Sequence, residues 1–327
     1  MDTPVPAEWA PHRAMWVGWP SHAELWEEDL APAQAEVEGL VRALAGPGRE
    51  QVRLMVGKPE ALADARARFA DVAGVEVVDG RFGDIWLRDT GPIFGAGSNS
   101  AAAFRFNGWG GKYALEHDDT VADQIAKASD TPLDRHDFIL EGGALDHDGA
   151  GAILTTRQCL LNPNRNPDWT EAAAEAALAR ALAARRVVWL GDGLLNDHTD
   201  GHVDNLARFV GPNLVACPVA WGRNDPNADV YDACARDLIT AGFEVLRVPS
   251  PGLVLDEDER PIPASHMNFL IANGAVIMPT YGDDRAADLA GQALQTAFPD
   301  REIVLLPSTA ILTGGGSFHC ISQQEPA

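Results

Sequence analysis

Five side chains far apart in this sequence have the right types to do chemistry together: Cys320, His202, Glu141, Asp89 and Asp204. Cys320 ends the run Gly314-Gly315-Gly316-Ser317-Phe318-His319-Cys320 and is followed closely by Gln323-Gln324. Three glycines beside polar residues mark a place where backbone approaches a ligand rather than a packed core. The other cysteines read as small buried hydrophobes: Cys159 in Arg157-Gln158-Cys159-Leu160-Leu161, Cys217 in a strand-like run, Cys234 within a helix. A thiolate is a strong nucleophile and needs a proton acceptor or positive charge nearby. His319 is adjacent, but successive residues of extended chain point to opposite faces. A remote histidine is the better partner, and His202 is the first candidate.

His202 lies in the densest polar segment, His198-Thr199-Asp200-Gly201-His202-Val203-Asp204-Asn205. One reading of it is a metal site, with His198 and His202 at i and i+4 beside Asp200 and Asp204. Gly201 and the preceding Asp192-Gly193 instead make the segment a loop, where those positions share no helical face. The order HExxH of a zinc helix is also missing. A catalytic His/Asp pair without metal fits better. Asp89, in Arg88-Asp89-Thr90-Gly91-Pro92 after a strand-like Ile85-Trp86-Leu87, reads by itself as half of a surface pair. Glu141 follows the apolar Phe138-Ile139-Leu140, and a carboxylate at the mouth of a buried strand must be paired or engaged in chemistry. Trp86 and Trp109 could face a cation, although core packing is the default for tryptophan.

Together these residues specify a thiol nucleophile, a histidine and three carboxylates, without a phosphate loop or nucleotide fingerprint. Such a set suits a cationic electrophile. A guanidinium is planar and forked, so two carboxylates can hold it bidentately. A unit charge pair at ~4 Å is worth roughly 4 kcal/mol at an effective dielectric near 20. Composition agrees: Lys+Arg 25 against Asp+Glu 48 leaves a net charge of −23, which attracts small cations and disfavours nucleic acid and anionic membranes. No stretch approaches the ~18 apolar residues of a membrane span. The start, Met1-Asp2-Thr3-Pro4, lacks the features of a signal peptide, so a cytoplasmic protein is expected. Four scattered cysteines make neither a disulfide framework nor a zinc ribbon.

The elements that must carry these residues follow from periodicity and punctuation. Helices are predicted over 32–44, 59–69, 118–128, 168–184, 227–241 and 283–298, with Asp168 capping the fourth and Glu171 in its capping-box position. Short apolar runs predict buried strands at 52–56, 75–78, 138–140, 186–190, 243–248 and 303–306. A polar, glycine-rich loop and a hairpin follow most of them. The loops carrying Asp89, Glu141, Asp204, His266 and Cys320 recur at intervals of roughly fifty to sixty-odd residues, an internal repeat. Five helix–strand–loop–hairpin units closing into a ring, with the loops facing a common axis, explain this spacing better than two domains do. Residues 1–327 are therefore expected to form a single closed α/β domain.

Ordered motifs then add a resemblance. They are Pro6-Ala7-Glu8-Trp9, Trp16-Val17-Gly18-Trp19-Pro20, Trp86-Leu87-Arg88-Asp89-Thr90-Gly91-Pro92 and Phe106-Asn107-Gly108-Trp109-Gly110-Gly111. Leu140-Glu141-Gly142-Gly143, Gly201-His202-Val203-Asp204-Asn205, Met267-Asn268-Phe269-Leu270 and the segment from Gly314 to Pro326 complete the series. Nearly end to end, the chain resembles the agmatine deiminases of the guanidine-modifying superfamily, which includes peptidylarginine deiminases. The resemblance implies a pentein-type, five-fold pseudosymmetric α/β propeller and no metal or organic cofactor. It also implies Cys320 as nucleophile, His202 as general acid/base, Glu141 as the carboxylate orienting that histidine, and Asp89 with Asp204 gripping the guanidinium. Trp86 and His198 join them in substrate binding. The implied reaction converts agmatine and water to N-carbamoylputrescine and ammonia through a covalent thiouronium, chemistry associated with putrescine and polyamine biosynthesis. His198 departs from the family, which is usually acidic at that position in the pocket for the distal amine. Asp197 or Asp200 would then supply the charge, or the substrate would be another small guanidine. The 249–263 connection is also shorter than in typical members, implying a reduced lid or subunit contact.

Three rival readings remain at this level: a metal-dependent amidohydrolase using His198, His202 and Asp204, a non-catalytic cation binder, and an amidinotransferase. A homo-oligomer is compatible with the sequence.

Overall fold

The computed structural model describes residues 1–327, apart from the side chain of Ser98. Its strands, numbered in chain order, form five small sheets. The first contains β1 (His12–Trp19), β2 (Val52–Val56) and β3 (Val75–Asp79). The second has β4 (Ile93–Phe94), β5 (Ala101–Arg105) and β6 (Leu133–Ile139). The third has β7 (Asp146–His147), β8 (Ala152–Thr156) and β9 (Arg186–Leu190). The fourth has β10 (Arg208–Gly211), β11 (Leu214–Val219) and β12 (Glu244–Pro249). The fifth has β13 (Leu270–Ile271), β14 (Ala275–Thr280) and β15 (Glu302–Pro307). The last strand, β16 (Ser322–Pro326), returns to the first sheet and pairs antiparallel with β1, Val17 opposite Ser322 and Met15 opposite Gln324.

Each sheet thus repeats one pattern, an antiparallel pair whose second strand runs parallel to a third. A parallel pair needs a crossover, and a helix supplies it every time. These helices are Leu30–Ala45, Val121–Ala128, Glu171–Leu182, Ala228–Thr240 and Asp284–Ala297, with Pro59–Arg68 joining the further parallel pair β2 and β3 of the first sheet. Each buries one apolar stripe on its sheet; in Leu30–Ala45 the stripe includes Val37, Leu40, Val41 and Leu44, the face expected from periodicity. The five-fold α/β propeller read from the sequence is the architecture found.

Three local expectations need correction. The fourth predicted helix starts at Glu171, and its cap is Thr170, whose hydroxyl accepts the Ala173 N–H at 3.2 Å; Asp168 lies outside. A threonine one residue before an alanine-rich run takes the N-cap geometry that Asp168 is too far upstream to reach. Ile85-Trp86-Leu87 is not strand: Leu87–Thr90 forms one helical turn, with Trp86 as its N-cap. Strand β6 begins at Leu133, five residues ahead of the apolar signal, because its first half carries the exposed charges Asp134 and Arg135 between the partly buried Leu133 and His136.

Candidate active site

The functional side chains lie in the connections between one sheet's last strand and the next sheet's first. The segment after β3 brings Trp86 and Asp89, that after β6 Glu141, and that after β9 His202 and Asp204. The segment after β12 brings Asn268, and that after β15 brings Cys320. Repetition of the module therefore places one contribution from each of five junctions together. The fourth junction contributes Asn268 rather than the His266 that anchored the spacing. His266 turns away, stacking on Tyr281 and bonding the Pro249 carbonyl at 2.8 Å.

Cys320 is buried, and its sulfur opens on a cavity of about 330 Å³. Trp86, Asp89, Trp109 and Gly314 to Gly316 line the same space. A Cβ on Gly316 would lie 2.6 Å from the Trp86 ring and 3.1 Å from the Cys320 sulfur, so a side chain there would close the slot. The Asn268 amide donates to that sulfur at 3.1 Å, and Asp204 Oδ2 lies 3.7 Å from it. Burial, followed by the charges of Asp204 and Asp89, pushes the Cys320 thiol well above its ordinary range.

His202 sits behind this space. Its Nδ1 is 3.7 Å from Asp89 Oδ1 and its Nε2 is 3.7 Å from Glu141 Oε2. Neither nitrogen has a hydrogen-bond partner among the described residues. Burial opposes the imidazolium, yet Asp89, Cys159 and Glu141 outweigh it and hold His202 well above the usual histidine range. Glu141 is likewise pushed up by burial but ends lowered, through His202 and the Arg165 guanidinium. Asp89 accepts the Trp109 indole N–H at 2.9 Å and the Gly143 N–H at 2.9 Å. Asp204 is fully buried; its Oδ2 meets His319 Nδ1 at 2.8 Å and its Oδ1 has no partner among the described residues. Gly143 occupies the middle of the group. A Cβ there would stand 2.5 Å from His202 Nδ1, 2.9 Å from Asp89 Oδ1 and 3.1 Å from Asp204 Oδ2.

All of the expected residues are thus gathered, with His198 exposed at the edge of the same cavity, its Nδ1 3.3 Å from the Tyr113 hydroxyl. Asp200 does not supply a free charge for a distal amine. It is bound to Lys112 at 2.6 Å, Arg165 at 2.5 Å and Asn164 at 2.9 Å. Asp197 accepts the N–H and hydroxyl of Thr199, and neither Asp197 nor Asp200 lines the cavity. The acidic residues that do line it, besides Asp89, are Glu27, Glu28, Asp29 and Asp84.

The His198/His202/Asp204 metal set is not assembled. The ligand-type atoms that do cluster, within 4.8 Å of one another, belong to Glu141, Cys159 and His202. Arg165 Nε already bonds Glu141 at 2.8 Å, so a divalent cation there would face a guanidinium.

Reasoning from sequence alone missed Asn268, Arg165, Gly143 and the position of Cys159 against His202. Arg165 sits in Asn162-Pro163-Asn164-Arg165-Asn166-Pro167, a run of turn formers around one arginine that was a usable signal. Cys159 carries no such signal, since a core thiol and a thiol against a catalytic ring look alike in sequence.

The sequence profile of the Porphyromonas-type peptidyl-arginine deiminases matches residues 4–326. The chain belongs to that family. Within it, the chain is similar to the agmatine deiminase of Stutzerimonas stutzeri (strain A1501), 38% identical over 99% of this chain and 95% of that protein. A solved agmatine deiminase of Enterococcus faecalis superposes with a TM-score of 0.91 at 31% identity, covering 99% of this chain and 96% of that one. A DDAH of Pseudomonas aeruginosa shares the fold at 12% identity and TM-score 0.56, covering 96% of this chain and 99% of that one. Membership in the deiminase family accords with a thiol, a histidine and three carboxylates converging from separate junctions.

Proposed function

We propose that this chain is a hydrolase that deiminates a small alkylguanidine, agmatine first among them, to a ureido product and ammonia. Residues 1–327 act as one catalytic unit of five modules, in the cytoplasm, without nucleic acid or membrane partners. The observation that carries the reading is the shared cavity: the Cys320 sulfur opens on the space lined by Asp89 and Trp86, with His202 and Asp204 directly behind. Among the described residues, no helix is long and apolar enough to cross a membrane.

The chemistry follows from the charges. A guanidinium entering between Asp89 and Asp204 places its carbon near the sulfur, and its positive charge offsets the two carboxylates that keep the thiol protonated. The thiol proton passes to water in the cavity, and the thiolate attacks the carbon to give a neutral tetrahedral adduct. His202, held as imidazolium, protonates the departing nitrogen; ammonia leaves and an S-alkylthiouronium remains. Neutral His202 next takes a proton from water, whose oxygen attacks the same carbon. Collapse breaks the C–S bond as the adduct's hydroxyl proton passes to water, returning the thiolate and releasing N-carbamoylputrescine when the substrate is agmatine. Glu141, fixed by Arg165, orients the imidazole and balances its charge.

His198 at the rim motivates the second reading, a different small guanidine, since the distal end of the substrate meets an imidazole and a tyrosine there. Purified protein incubated with agmatine should release ammonia and N-carbamoylputrescine, and Cys320→Ala should abolish both. A folded parent protein without turnover on agmatine, but active on another guanidine, would replace the substrate and keep the chemistry.

A further inference from the structure

His319 is buried between two carboxylates. Its Nδ1 lies 2.8 Å from Asp204 Oδ2 and its Nε2 lies 3.1 Å from Glu8 Oε2. Neither carboxylate oxygen can donate when ionised, so two bonds require a donor at each ring nitrogen, which only the imidazolium offers. Glu8 is itself fixed: Arg208 bonds Oε2, and the Ile271 N–H bonds Oε1 at 2.7 Å. Arg208 in turn bonds Asp146 at 3.0 Å and the carbonyls of Met267 and Phe269. The backbone N–H of His319 is held by Asn268 Oδ1 at 2.9 Å. The far end of this chain is anchored in β7, β10, β13 and the segment leading into β13; its near end is Asp204, whose Oδ1 has no partner among the described residues.

We infer that His319 is a positioning residue for Asp204: it holds Oδ2, the oxygen 3.7 Å from the Cys320 sulfur, so that the carboxylate stays charged and in place for the guanidinium beside Cys320. Glu8, from the first ten residues, thereby becomes part of the machinery that grips substrate. The inference rests on the proposed guanidine-binding role of the cavity. It also gives His319 a task other than deprotonating its neighbour, since both of its ring nitrogens are already engaged by carboxylates.

The test compares His319→Asn with His319→Gln in the full chain. The asparagine amide falls near the Nδ1 position and keeps a donor for Asp204, whereas the glutamine amide falls near Nε2 and keeps only Glu8. His319→Gln should raise KM for the guanidine on the order of 10- to 100-fold, with a smaller loss in kcat, because a charge-assisted bond to the binding carboxylate is gone. His319→Asn should recover most of that loss. In an Asp204→Asn background the His319→Gln change should have little further effect, since the two residues act as one unit. Equal damage from both substitutions in both backgrounds overturns the inference, as does His319→Gln with unchanged KM. Glu8→Gln keeps an acceptor for Nε2 and removes its charge. Should both His319 variants misfold, Glu8→Gln is expected to raise KM several-fold, and unchanged KM overturns the inference.

A second readout needs no turnover. Cationic chloroacetamidine should alkylate Cys320 faster, relative to neutral iodoacetamide, in the parent than in His319→Gln. A parent that prefers the cation yet turns over no guanidine defeats the activity reading and leaves this inference standing. A preference unchanged in His319→Gln overturns it.

Discussion

The side-chain amide of Asn268 donates to the Cys320 sulfur at 3.1 Å while its oxygen accepts the backbone N–H groups of His319 and Cys320 at 2.9 and 3.2 Å. One residue therefore fixes both the nucleophile's backbone and a hydrogen bond that favours its anion. It acts against burial and two carboxylates that favour the thiol. Asn268→Ala should lower kcat/KM on the order of 10- to 100-fold, as expected for a lost bond to a developing anion. It should also move iodoacetamide labelling of Cys320 to higher pH. Labelling that follows the parent's pH profile would leave Asn268 with a purely structural role.

Gly143 has room for nothing larger. In Gly143→Ala the new methyl would press on His202, Asp89 and Asp204 at once. Turnover is expected to fall by at least two orders of magnitude, because misplacement by about an ångström is enough for that. Thermal melting should change much less than turnover; equal activity in the variant would contradict the geometry.

Arg165 binds Glu141, Asp200 and the Thr199 carbonyl, joining the carboxylate behind His202 to the loop that carries it. Arg165→Ala leaves Glu141 buried without its hydrogen-bonded guanidinium, with only the more distant His202 beside it. A cost of about 3–5 kcal/mol in stability is expected, read by denaturant unfolding. A loss below about 1 kcal/mol, typical of an exposed pair, would show that water reaches Glu141.

The expected architecture survived contact with the structure because it rested on a repeat, and a repeat is legible wherever hydrophobic periodicity alternates with glycine-rich loops. The helix stripe at Val37, Leu40, Val41 and Leu44 is such a case. Cys320, His202 and Glu141 were legible because their types are unusual in their surroundings. Asn268 was not, since an amide in a polar loop has no distinguishing chemistry until a sulfur is placed beside it. His319 was read only against its neighbour in sequence. Its actual partners, Asp204 and Glu8, lie 115 and 311 residues away, which no local pattern reports. Asp168 failed as a cap for a local reason, because Thr170 stood nearer the first turn.

Two buried aspartates outside the reacting group should shape acid stability. Burial pushes Asp84 up to about 6 and Asp118 up to about 7. The folded chain therefore keeps protons that the unfolded chain releases near the ordinary aspartate pKa of ~3.9. Their contribution is fully present below that value, declines as pH rises, and is lost above about 7. Asp118→Asn retains an acceptor for the Gly83 N–H and removes one ionisation. Its melting temperature should vary less than the parent's between about pH 4 and 7. Parallel profiles would exclude Asp118 as the source.

The proposed chemistry has no step that needs a metal. Dialysis against a strong chelator should leave ammonia release from agmatine unchanged, measured beside an untreated sample. Lost activity that returns with zinc would instead favour the amidohydrolase reading, through the Glu141, Cys159 and His202 group.

The pairing of β16 with β1 joins residues more than 300 positions apart, and Glu325 reinforces it by bonding Arg13, Arg53 and Trp16. Cys320 stands two residues before β16, so the nucleophile is delivered by the same contact that completes the ring. A chain emerging from a ribosome holds Asp89, Glu141, His202 and Asn268 long before it holds the sulfur. Its chemistry is thus silent until closure, and the contact of highest loop-closure cost becomes the event that activity reports. Anything that pries the last strand from the first unmakes the catalyst before it unfolds the sheets.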